Sequence, residues 1–99
     1  MTEARFLLPA EEEMIAAAQY YEHKSLGLGA EFLTEVERVT ASIAAHPEAA
    51  PKVKGKIRRR LLKRFPFGVL YVASKDEIVV VAIMHLSRRP GYWADRVRS

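Results

Sequence analysis

None of the 99 residues is cysteine. That absence excludes a disulfide scaffold, a thiolate zinc site and a cysteine nucleophile together. No apolar run approaches the roughly 20 residues needed to cross a bilayer. The opening MTEARFLLPAEEE has no basic stretch leading into a long apolar one, so no signal peptide is expected, and the cytoplasm is the expected compartment. Glycine is sparse, with five residues, and none builds a phosphate loop: Gly27-Leu28-Gly29 joins two expected helices and follows no strand. His23, His46 and His85 are scattered without a paired ligand spacing, so no metal site is expected. No serine sits in a strand-turn-helix elbow. Repeats and low-complexity segments are missing too, and nothing calls for a cofactor.

What is present is an ordinary globular composition, 49% hydrophobic, in a chain of a length that suits one domain over 1–99. The charge is unevenly placed. Residues 1–50 hold three basic side chains (Arg5, Lys24, Arg38) against nine acidic ones, a net of −6. Residues 51–99 hold thirteen basic against three acidic (Asp76, Glu77, Asp95), a net of +10. Such asymmetry implies a surface suited to a polyanion or an acidic partner.

Periodicity gives the elements. ARFLL (4–8) is short and bulky before Pro9, which reads as a first strand. Glu11, Glu12 and Glu13 put negative charge at a helix N-terminus, and Met14, Ala17, Ala18 and Tyr21 recur at helical spacing, so 10–24 is expected to be a helix. Phe32, Val36, Val39 and Ile43 step by four, three and four, the apolar stripe of a second helix over about 29–45. Pro47 stops it. HPEAAPKVKG (46–55) is expected to be a loop, and KIRRRLLKR (56–64) a strand with at least one exposed face. FGVLYVAS (67–74) and EIVVVAIMHL (77–86) follow as strands around a tight turn at Lys75-Asp76. The last is apolar enough to be covered on both faces, with Val79, Val81 and Ile83 buried. A short helix is expected over 92–98. The fold class is therefore α+β, in the order β-α-α-β-β-β, with a helical hairpin on one face of a mainly antiparallel sheet.

The chemistry on offer is cationic. Lys52, Lys54, Lys56, Arg58, Arg59, Arg60, Lys63 and Arg64 precede or line the second strand, and Arg88 and Arg89 close the last one. Arginine holds phosphate or carboxylate in two-point contact. Such a cluster suits either of two tasks. It could steady a scissile phosphate while His85 or Tyr92 moves a proton, or it could bind an acidic protein through a solvated strand face. His85 also fits a strand-end histidine bonded to a backbone carbonyl. Trp93 fits a cover over the end of the core, and Tyr92 fits that cover or a functional role equally well.

The ordered set AAxYYE (17–22), GLG before FLxEV, HP (46–47), RRxLLxRFPF (58–67) and HxxRxPxYW (85–93) resembles the RelE/ParE superfamily of type II toxins across nearly the whole chain. The resemblance implies a small toxin of the kind tied to plasmid stabilisation, neutralised by a cognate antitoxin through which it also oligomerises. It implies one of two activities. ParE-like members inhibit DNA gyrase by protein contact, and Arg58, Arg60, Lys63, Arg64, Arg88, Arg89 and Trp93 would then be contact residues. RelE-like members cut mRNA on the ribosome without a metal, and Arg59, Arg88, Tyr92 and His85 would then be catalytic. The RelE-type third-strand arginine falls at Gly68, and one of two second-strand lysines at Leu61, departures that lean toward a ParE-like toxin.

Overall fold

The computed structural model describes residues 3–97. Its chain order is β1 (Ala4–Phe6), α1 (Leu8–Lys24), α2 (Leu28–Ala45), β2 (Lys52–Lys54), β3 (Ile57–Leu61), β4 (Phe67–Ala73), β5 (Ile78–His85) and a 3-10 turn, η1 (Ala94–Val97). The strands form one sheet in the order β1-β5-β4-β3-β2, antiparallel except where β1 runs parallel to β5. This is the expected α+β class with the helical hairpin on one face.

Local chemistry explains where the boundaries differ from the sequence reading. β1 ends at Phe6 rather than residue 8, because Pro9 sits in the first turn of α1, where its missing N–H goes unneeded. The expected loop 46–55 contains β2, which pairs with β3 through a turn at Gly55, a residue in the left-handed region at φ +56°. Two lysines flanking Val53 give β2 no buried face to betray it. β3 stops at Leu61 rather than residue 64, since Leu62 and Phe65 turn inward to the core. The terminal helix is a 3-10 turn over Ala94–Val97; residue 98 of the expected helix lies outside the described residues.

α2 lays Phe32, Val36, Val39 and Ile43 on the sheet, each at most 3% exposed. Complete burial of such side chains stabilises the fold by about 1.5–3 kcal/mol each. α1 adds Ala17 and Ala18, with Met14 and Tyr21 half-buried beside them. The helices approach closely at Gly29, where a Cβ would run into the Ala18 carbonyl oxygen. Gly27, the N-cap of α2, has no side chain to offer. Glu22 of α1 substitutes, its two carboxylate oxygens accepting from the N–H groups of Gly27 and Gly29 at 2.9 Å.

The sheet has a second apolar layer on its far face: Ile57, Leu70, Val81, Ala82, Met84 and Trp93, with Val97 against them. β5 is thus covered on both sides, though not through simple alternation. Its register against β4 slips between Leu70↔Ala82 and Tyr71↔Val80, a bulge that points both Val81 and Ala82 to the far face. Ile78, Val80 and Ile83 therefore face the helices, Val81 faces away, and Val79 is only half-buried, against the expectation for that residue.

Candidate functional site

β1 pairs with β5 only as far as Phe6↔Val80, and Leu7 N–H closes on the Val80 carbonyl before the chain turns into α1. From Val81 onward the outer edge of β5 lacks a neighbouring strand. Side chains take over there. Glu13 Oε1 accepts from Ile83 N–H at 3.0 Å, and Arg96 Nη1 donates to the Val81 carbonyl at 3.1 Å. Arg96 also gripes Glu13 with two parallel bonds of 2.9 Å, and the Tyr92 hydroxyl donates to Glu13 Oε2 at 2.6 Å. The ion pair is well shielded, with Arg96 19% and Glu13 16% exposed. Burial opposes the Glu13 charge, but bonds from Arg96, Tyr92 and Ile83 outweigh it and hold the carboxyl below its ordinary value.

The same contacts fix Tyr92. Burial first, then the bond to Glu13 and its negative charge, push the phenol above its ordinary value despite the nearby Arg96 and Arg88. A protonated hydroxyl already donating to a carboxylate is a poor proton acceptor at neutral pH. Its ring carries the Arg88 guanidinium, 3.9 Å from the centroid.

Two hollows flank this edge. On the helix side, a cavity of about 490 Å³ lies between α1 and the end of β5, lined by Tyr20, Tyr21, Phe67, His85 and Arg88 with Glu13 at its wall. On the far face, one of about 290 Å³ is lined by Lys54 and Arg59 over Leu70, Met84 and Trp93. Directly paired residues share a face, so Arg59 opposite Leu70 points to the far face and His85 opposite Phe67 points to the helices. Arg88 and His85 come together; Arg59 stands on the other side of the sheet. His85 is a strand-end histidine, but its partner differs from the carbonyl foreseen: Nδ1 accepts from the Ser87 N–H at 3.0 Å.

The remaining cations divide by employment. Arg58 donates through Nη1 to the carbonyls of Ala50 (2.7 Å) and Glu48 (3.1 Å), bracing the 46–51 loop, which Tyr71 also holds by donating to the Pro47 carbonyl. Arg64 pairs with Glu31 at 2.6 Å. Lys63 is held by its backbone N–H, which donates to the buried carboxylate of Glu35. Arg59, Arg60 and Arg89 make no ion pair among the described residues. Trp93, at 4% exposure, is a core residue with little surface to give a partner. Gly68 lies beneath the aliphatic stem of Arg59, and Leu61 beside it is exposed.

Glu13, Arg96 and Glu35 were not singled out by the sequence. Glu13 had a signal: four residues before Ala17, it lies on the buried stripe of α1, where a carboxylate needs partners. Among the described residues no three His, Asp or Glu side chains gather as a metal would need, and no helix is long and apolar enough to cross a membrane.

Comparison with known proteins gives a coherent answer. No curated protein matches the chain by sequence. Among solved structures, it is similar to one described as "Chromosomal ParDE TA system from P. aeruginosa", at 17% identity and a TM-score of 0.63, covering 88% of this chain and 98% of that one. That likeness establishes the fold. The family model described as "ParE toxin of type II toxin-antitoxin system, parDE" matches residues 4–90, and the chain belongs to that family.

Proposed function

We propose that the protein is the toxin of a type II pair, acting in the cytoplasm by protein contact on DNA gyrase and neutralised by a cognate antitoxin. Family membership supports the toxin role, and the ParDE title of the similar structure supports an antitoxin partner. The observation that favours contact over RNA cleavage is the dispersal of the cations. Arg59 faces one side of the sheet while His85 and Arg88 face the other, and Tyr92 is engaged by Glu13. Phosphodiester cleavage needs a proton-transfer group and phosphate-stabilising charges on one reacting centre, with acid–base catalysis alone contributing about 10²–10⁴-fold in rate. Gly68 and Leu61 supply no charge in compensation.

The test is to add purified toxin, with and without antitoxin, to gyrase supercoiling and to translating ribosomes in parallel. Loss of supercoiling with ribosome-bound mRNA intact is the expected result. Site-specific mRNA cleavage that disappears in Arg88→Ala, with supercoiling untouched, would establish the endoribonuclease reading instead.

A further inference from the structure

We propose that residues 90–97 form a strap that opens as one unit from a sheet that stays folded, with Glu13 of α1 as its catch. The inference stands apart from the choice of target. It starts from how the segment is fastened. The backbone N–H groups of Tyr92, Ala94 and Arg96 bond within the segment and its approach, to the carbonyls of Arg89, Gly91 and Trp93. The side chains of Tyr92 and Arg96 converge on one place in the rest of the fold, the Glu13 carboxylate and the adjoining Val81 carbonyl. A bidentate, charge-assisted pair is strong and directional, and the Tyr92 hydroxyl ends on the same carboxylate.

The joint is built into the sequence. Residues 86–90 are exposed, and Gly91 follows in the left-handed region at φ +80° with nothing crowding its α-carbon. Beyond the joint, Trp93 is the main apolar anchor, set on Leu70, Val81 and Met84. Packing beside it is incomplete on both sides. The 290 Å³ hollow reaches Pro90, Gly91 and Trp93, and a second of about 620 Å³ reaches Trp93, Ala94 and Val97. A short segment with local hydrogen bonds and hollows along both flanks belongs to the low-stability end of a fold.

Opening has consequences on both faces. It uncovers the far apolar layer, and it frees the Val81 carbonyl at an edge where β5 has no strand neighbour; the closed strap keeps that edge blunt. It also carries away the Tyr92 ring on which Arg88 rests, so the cation at the mouth of the helix-side cavity moves with the strap.

Trp93 is the sole tryptophan, so its emission reports the strap alone. In Glu13→Gln, which keeps the side-chain shape and removes the charge, Trp93 emission should shift to the red and acrylamide quenching rise several-fold, with far-UV circular dichroism retained. In the wild type, urea should shift Trp93 emission at lower concentration than it removes the circular dichroism. Trp93 that stays shielded in Glu13→Gln would overturn the catch. Coincident urea curves would overturn independent opening, and they decide the matter if Glu13→Gln fails to fold.

Discussion

Glu13 shows how much can hang on one carboxylate. Its folded pKa lies below the ordinary value of 4.5, so its contribution is fully present above that value and is lost as pH falls through the depressed one. Arg96, Tyr92 and Arg88 surround it, and His85, which lines the same cavity, bonds to Ser87 rather than to Glu13. The wild type should therefore be more stable than Glu13→Gln at neutral pH, and acidification through the carboxyl range should shrink the gap. Urea midpoints of both proteins across that range check it; a gap that widens on acidification would remove Glu13 from the account. Gly29 makes a steric case of the same kind. A methyl group there meets the backbone of α1, which cannot rotate away, so Gly29→Ala should cost about 1–3 kcal/mol in denaturant unfolding. Were it neutral or stabilising, the close approach of the helices would be wrong.

Among the elements, α2 was the most legible in sequence, β2 was read as loop, and β5, though read as a strand, hid its register. The four-three-four stepping of Phe32, Val36, Val39 and Ile43 admits one helical phase, and those residues form its buried face. Phe32→Ala should cost roughly 3–5 kcal/mol, since Tyr21, Phe65 and Phe67 all pack against the ring and cannot all collapse into the space. β5 offers no such phase. IVVVAIM is apolar at every position, so nothing in it marks where the alternation slips, and the bulge at Val81-Ala82 was invisible. The site inherits that blindness: Arg59, His85 and Arg88 were recognisable as residue types, but the faces they occupy depend on register. The bulge has a testable consequence. Deleting Val81 removes the extra residue, and strict alternation then leaves Ile78, Val80, Ile83 and His85 on the faces they already occupy. The deletion should therefore leave urea unfolding cooperative and cost about 1.5–3 kcal/mol, the burial of the Val81 side chain; loss of the cooperative transition would mean that the fold requires the bulge itself.

At the scale of the whole molecule, the asymmetry of charge along the chain becomes one in space. Glutamates 11, 12, 13, 22, 31, 35 and 37 ride on the helices, while β2 and β3 carry Lys52, Lys54, Arg58, Arg59 and Arg60. The molecule spans 39 × 30 × 21 Å. Even the shortest extent exceeds a Debye length of about 8–10 Å at physiological salt, so an approaching partner feels mainly the side it faces. An acidic antitoxin segment should consequently be drawn to the sheet edge, and its association rate should fall as ionic strength rises, with little change in a neutral control. The structure also sorts which cations matter. Arg60 and Lys63 make no ion pair among the described residues, so Arg60→Glu and Lys63→Glu should slow association while leaving stability nearly unchanged. Arg58 is occupied by the Glu48 and Ala50 carbonyls, so Arg58→Ala should act mainly on stability, by about 1–3 kcal/mol, through the unbraced loop. Stopped-flow rates at low and high salt, beside urea unfolding of the same variants, separate the two effects. Rates indifferent to salt, or an Arg58→Ala variant that binds slowly yet unfolds like the wild type, would mean that the antitoxin reads some other surface.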